Sequence, residues 1–323
     1  MDELLRIFMD KKQTNTIDLD ENKMNSVKLG IAVVYFYSEN DLWILKLHLN
    51  EIKTNTTENY TIYAAANRLS EKYKDILENT SNLEIVELPN ITETGAKEHG
   101  KYLDSLLRYA INDGCTHLCT LDCDSWPTQM GWDNTLINLM SSNNVELAAV
   151  LRTELGDKWL PHPCGLMIKK EFIKKYDPKM WPKLGTKDFQ LFIDKTQQRL
   201  DTGIGFGYIL WKYNLEWLKL ERINIINEHY LMAGIYENGI FHLGATSRLK
   251  IFYKEFNNTW ARKTTSFLTK VPILWRYKQK IEYKLLNIFP PRINFNNLKI
   301  SNKINKHLQD NPKIFYKKLL GLI

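Results

Sequence analysis

CTLDCDSWP, residues 119–127, places two aspartates one residue apart directly behind an apolar run. THLCTLD (116–122) has the pattern of a buried strand, so Asp122 and Asp124 fall where that strand meets water. Along an extended chain residues i and i+2 point to the same side, which brings the two carboxylates within about 7 Å. Side by side and unpaired they would repel and raise one another's pKa. A divalent cation removes that cost, and oxygen ligands suit Mg2+ or Mn2+. A solvated turn whose aspartates cap the next helix satisfies the same local sequence.

Outward from this stretch, strand-like and helix-like segments alternate. KLGIAVVYFY (28–37) is a near-continuous apolar run, as expected for a strand buried on both faces. NDLWILKLHLNEI (40–52) follows, with Asn40 or Asp41 as N-cap and Leu42, Leu45, Leu49 and Ile52 on one helical face. YTIYAAA (60–66) and LEIVELP (83–89) read as strands around the helix SEKYKDILEN (70–79). EHGKYLDSLLRYAIND (98–113) reads as the helix that precedes THLCTLD. This β-α-β-α-β-α-β order predicts an α/β fold with a mostly parallel sheet flanked by helices. Further on, VELAAVLR (145–152), CGLMIKK (164–170) and GIFHL (239–243) read as strands, and YILWKYNLEWLKLE (208–221) as a helix followed by a strand.

Composition narrows the class. In 323 residues with 44% hydrophobic content there is enough apolar material for a real core. No stretch approaches the roughly 20 apolar residues of a membrane span. MDELLRIFMDKK at the start is acidic first and has no apolar h-region, so it does not read as a secretory signal. The expectation is a cytoplasmic protein, and four cysteines fit that compartment as small buried residues. Cys115, Cys119 and Cys123 are four apart, but on an extended strand at about 3.3 Å per residue successive ones would sit roughly 13 Å apart. Sulfurs bound at about 2.3 Å to one zinc ion cannot be so far from each other.

Charge is unevenly placed. Residues 251–323 carry 15 Lys+Arg against 3 Asp+Glu, a net +12, and the chain's total of +7 leaves −5 for residues 1–250. Charge and periodicity divide the chain into a lead at 1–26, a body at 27–250 and a basic tail at 251–323. PILWRYKQKIEYKLLNIFPP (272–291) and PKIFYKKLLGLI (312–323) sort apolar and basic residues at helical spacing, the second with Phe315, Leu319 and Ile323 on one side. Such helices suit either an anionic membrane surface or docking on the body with the basic face solvated. A nucleic-acid-binding protein driven by the tail is the non-enzymatic alternative, but the tail shows no recognised binding motif and the body is net acidic.

Several stretches together resemble the nucleotide-sugar half of GT-A glycosyltransferases, most closely family 2. GAKEHGKYLDSLL (95–107) resembles the family's HGxxL(D/N) segment, and LDCDSWP continuing into MGW resembles its D-x-D run with a following Gly-Trp. HPCGLMIKKEFI (162–173), LDTGIGFGYIL (200–210) and IFHLGATSR (240–248) resemble later motifs in the right order, so the likeness covers roughly 28–250. It implies a nucleotide-diphosphate sugar as donor, Mn2+ or Mg2+ as cofactor, and a glycan or lipid-linked hydroxyl acceptor. Asp122 would contact ribose or metal, Asp124 would hold the metal, and His242 would complete its shell, favouring Mn2+ because imidazole suits Mg2+ poorly.

Tyr37, Glu39 and Asn67 would lie near the base and ribose, His99 would face the donor, and Arg248 with Lys250 would neutralise the diphosphate. Asp201 is the expected base for the acceptor hydroxyl, with Glu154 in reserve and Asp188 after it. Here the chain departs from the family, since the usual acidic pair stands as Leu200-Asp201. A haloacid-dehalogenase-like phosphatase also ends a strand in D-x-D and uses the first Asp as nucleophile. That motif normally follows the first strand and continues with Gly-Thr, whereas here three strands precede it and Ser-Trp-Pro follows.

Overall fold

A computed structural model describes residues 27–38, 40–244 and 295–323. β1 (Lys28–Val34) is the apolar run expected to be buried on both faces, and its central five residues are buried. It pairs in parallel with β2 (Asn59–Ala65) on one side and β4 (His117–Asp122) on the other. β3 (Leu83–Ile85) adds in parallel to β2. Beyond β4 lie β7 (His162–Lys169), β6 (Leu147–Val150) and β8 (Leu218–Leu220), so the seven-stranded order is β3-β2-β1-β4-β7-β6-β8. β7 runs against both of its neighbours and the remaining pairs are parallel. The α/β architecture with a mostly parallel sheet between helices is therefore the one observed.

Two apolar layers enclose this sheet. On one face Leu29, Ile31 and Val33 of β1 meet Leu45 and Ile52 of α1 (Leu42–Asn55), Leu77 of α2 (Glu71–Glu78) and Leu136 and Met140 of α4 (Trp132–Ser142). On the other, Ala32 and Tyr63 meet Leu103, Leu106 and Leu107 of α3 (Ala96–Asn112) and Phe172 of α5 (Lys170–Tyr176). Phe206 and Leu210 of α7 (Ile204–Lys212) complete that layer. α6 (Lys187–Thr196), not foreseen from sequence, buries Phe189, Phe192 and Ile193 against α7.

The glycines of LDTGIGFG serve this packing. A Cβ at Gly207 would stand 1.7 Å from the carbonyl oxygen of Trp159, so only glycine lets α7 approach that loop. Asp41 sits at the N-cap position of α1, but its carboxylate accepts from the Ser38 N–H and hydroxyl instead of capping the helix.

A second, antiparallel sheet of three strands, β5 (Ser125–Pro127), β10 (Ile240–Gly244) and β9 (Met232–Tyr236), sits beside the sheet edge where Asp122 emerges. Sequence periodicity pointed only to β10. α8 (Phe295–Asp310) and α9 (Pro312–Leu319) lie over this small sheet. They bury Ile304, Leu308, Phe315 and Leu319 against Trp126, Phe241 and Leu243. α8 has no counterpart among the elements read from the sequence. α9 opens with Pro312 after Asn311, whose side chain accepts the Ile314 N–H at 3.0 Å. Of the apolar side expected for it, Phe315 and Leu319 are buried and Ile323 is exposed. The expected helix at 272–291 lies outside the described residues, as do residues 1–26 and the rest of 245–294.

Candidate active site

Asp122 closes β4, and β5 begins three residues later, so the D-x-D pair sits at the junction of the two sheets. β10 pairs with β5 in the register His242↔Ser125, and the Leu243 N–H donates to the Asp124 carbonyl at 2.9 Å. This sets His242 Nε2 at 3.5 Å from Asp124 Oδ1 and 3.7 Å from Asp122 Oδ2. One ligand atom from each of Asp122, Asp124 and His242 lies within 4.8 Å of the others. Burial works against the charged form of His242, but Cys164 and Asp124 outweigh it and hold its pKa well above the ordinary range. Two carboxylates with one imidazole fit Mn2+.

His99, in the second turn of α3, brings Nε2 to 3.6 Å from Asp122 Oδ1. Tyr37 donates its hydroxyl to the Cys123 carbonyl at 2.5 Å, and so braces the backbone between the two aspartates. His48, fully buried in α1, donates from Nδ1 to the Ser125 carbonyl at 2.8 Å. Burial takes its pKa down to about 4, so it is a neutral donor here. Trp132 and Asp133 of the run that continues the motif anchor α4. The Asp133 carboxylate accepts the Thr57 and Glu58 N–H groups at 2.9 and 2.7 Å.

The other expected residues fall less centrally. The Asn67 side chain donates to the Leu88 carbonyl at 2.7 Å. Asp201 is bound by Arg152 at 3.0 Å and Arg199 at 3.2 Å. Burial pushes against its ionisation, but the two guanidinium groups prevail and lower its pKa. Glu154 accepts the Tyr236 hydroxyl at 2.6 Å and lies 3.8 Å from Arg222. Asp188 is a surface residue paired with Lys212. Glu39, Arg248 and Lys250 lie outside the described residues.

Two residues not singled out from sequence belong to this place. His162 and Cys164 open β7 on one face of the strand, and His162 Nδ1 lies 4.0 Å from Asp122 Oδ2. The pattern His-x-Cys, antiparallel to the strand that ends in D-x-D, was the available signal. Gly165 is what lets β10 lie over this strand: a Cβ there would meet Ile240 at 2.9 Å.

No protein-family model matches the chain, and no curated protein matches it in sequence. Among solved structures it is similar to TarS 1-349 from S. aureus, at 13% identity and a TM-score of 0.38. That match covers 50% of this chain and 52% of the other, about half its length. The mannosyltransferase PcManGT from Pyrobaculum calidifontis, solved with GDP-Man and Mn2+, aligns with 98% of this chain and 91% of its own. Its identity is 8% and its TM-score 0.44. A cytidylyltransferase from Leptospira borgpetersenii serovar Hardjo-bovis aligns with 65% of this chain and 81% of its own, at 10% identity and a TM-score of 0.38.

Proposed function

We propose that the chain is a metal-dependent glycosyltransferase. It moves a sugar from a nucleotide-diphosphate donor to a hydroxyl of an envelope glycan, a lipid-linked sugar or a polysaccharide. The observation that carries this reading is the convergence of Asp122, Asp124 and His242 at the carboxyl end of β4. Ligands of open α/β sheets bind at such strand ends. The order of the five sequence motifs supplies the donor class.

In this reading Asp122, Asp124 and His242 hold Mn2+ or, less favourably, Mg2+. The bound ion supplies Lewis-acid stabilisation of the charge that develops on the departing diphosphate. His99 contacts the donor beside Asp122. Tyr37 and Asn67 take base and ribose, while Glu39, Arg248 and Lys250, assigned to the donor by the resemblance alone, lie outside the described residues. Asp201 accepts the proton of the acceptor hydroxyl. Its two arginines keep it ionised, as a base must be, and lower the proton affinity on which general-base catalysis depends. Glu154 is the reserve. Thermal stabilisation by a panel of nucleotide sugars, with and without Mn2+, tests the reading. A shift for one donor that needs Mn2+ supports it, and no Mn2+-dependent shift with any donor contradicts it.

We also place the protein in the cytoplasm, at an anionic membrane surface. Among the described residues no helix is long and apolar enough to cross a membrane. Ile225 is 74% exposed and lies against Gly321, beside Leu322 and Ile323 at 64% and 68%. The exposed Lys313 and Lys317 stand on the adjoining α9. Exposed aliphatics beside lysines suit the headgroup region of an anionic bilayer.

A further inference from the structure

We propose that the side-chain cluster at the end of β4 holds a second cation position on its thiol side, formed by Asp122, His162 and Cys164 and suited to a thiophilic divalent ion such as Zn2+. One ligand atom from each of the three lies within 4.8 Å of the others. Around a tetrahedral zinc, bond lengths near 2.0–2.3 Å put ligand atoms roughly 3.3–3.6 Å apart, so side-chain rotations closing about 1 Å complete the site. Its framework is rigid. His162 and Cys164 are alternate residues of β7, and the Thr120 hydroxyl of β4 donates to the Pro163 carbonyl between them at 2.9 Å. His162 Nδ1 accepts the Cys164 N–H at 3.2 Å, which fixes the proton on Nε2 and leaves a lone pair on the Nδ1 side. A cation would replace that N–H as its partner.

Donor chemistry separates the two positions. Asp122, Asp124 and His242 offer two oxygens and a nitrogen, whereas Asp122, His162 and Cys164 offer oxygen, nitrogen and sulfur. Thiolate selects zinc over magnesium or manganese. His242, hydrogen-bonded to Cys164 and 3.7 Å from Asp122, supplies a fourth ligand of the right kind. On binding, the Cys164 S–H bond is replaced by a sulfur–metal bond, the proton leaves to solvent, and no electron is transferred. His162 and Cys164 are 5% and 0% exposed, so an entering ion passes Asp122 and His242 first.

Asp122 and His242 belong to both sets, and a single imidazole nitrogen binds only one ion, so the two positions exclude one another. The consequence, which rests on the glycosyltransferase reading, is that zinc held by Cys164 blocks the donor cation. The test of the site needs neither donor nor turnover, and so stands apart from that reading. Co2+ is added to the full chain without nucleotide sugar and followed by its absorption spectrum. The expected result is a thiolate-to-cobalt charge-transfer band that saturates at one equivalent and is bleached by Zn2+. It should be lost in Cys164→Ser and kept in Cys123→Ser, the half-buried cysteine between the two aspartates. No band in the unaltered chain, or one that survives Cys164→Ser, overturns the proposal. Zinc-edge X-ray absorption of the unaltered protein is independent of how the variants fold. A sulfur scatterer supports the site, and a shell of nitrogen and oxygen alone overturns it.

Discussion

The indole N–H of Trp126 donates to the phenol oxygen of Tyr316 at 2.7 Å, a buried contact between residues 190 positions apart in the chain. Trp126 lies in β5, two residues past Asp124, and β5 carries the pairing that places His242. α9 thus supports the strand whose pairing sets His242 beside Asp124. Tyr316→Phe would leave a buried N–H without a partner, at a cost of about 1–3 kcal/mol. A lowered urea midpoint with an unchanged slope is the expected reading. An unchanged midpoint would mean that α9 contributes nothing to the fold through this contact.

Arg152 is 8% exposed and binds the carboxylates of Asp157 and Asp201 at 3.2 and 3.0 Å. Arg152→Met strands the buried Asp157 beside Asp201, and removing one partner of such a pair costs about 3–5 kcal/mol. Adding Asp157→Asn should recover part of that loss. Chemical denaturation of the single and double variants reads both steps, and equal losses would mean that the pair is not coupled.

Asp104 provides a pH dependence whose sign can be worked out. Burial pushes its carboxyl up to about 7, against the opposing pull of the Met180 N–H, Lys179 and Arg108. In the unfolded chain it titrates near about 3.9. Between these values the folded state binds the extra proton, so the stability it contributes is full below about pH 3.9 and lost as pH rises through about 7. Asp104→Asn cannot ionise and keeps an oxygen for the Met180 N–H. Its stability relative to the native chain should therefore grow from about pH 4 to 7 and level off above. A difference independent of pH would show that Asp104 titrates normally.

For the membrane, the structure dictates which variant is informative. Ending the chain near residue 250 would remove α8 and α9 and uncover Trp126 and Phe241, so lost binding would be confounded with damage to the core. Lys313→Glu with Lys317→Glu alters only exposed residues. Sedimentation with anionic vesicles should fall in this variant and in high salt, since the Debye length shrinks from about 10 Å at 0.1 M to about 3 Å at 1 M. Equal sedimentation with neutral and anionic vesicles would contradict an electrostatic contribution.

The large sheet was legible because β1, β2 and β4 are apolar runs buried on both faces, which leave a continuous signature. β5 and β9 were not. β5 is three residues ending in proline, and β9 is five residues with Gly234 inside and Ala233 at a φ of 51°. Their pairing is set by β10 and by the helices that cover them, which no local pattern encodes. The same limit applies at the site. Asp122 and Asp124 stand out because two carboxylates share one side of a strand end. His162 and Cys164 enter only through the antiparallel register of β7 beside β4.

The most direct measurement is donor turnover by the full chain and by Asp124→Asn, with Mn2+, with EDTA, and with Mn2+ restored after chelation. The expected result is release of nucleoside diphosphate from one nucleotide sugar, loss in EDTA, recovery with Mn2+, and a folded but inactive Asp124→Asn. Turnover indifferent to EDTA, or release of inorganic phosphate from simple monoesters without any nucleotide, would contradict it.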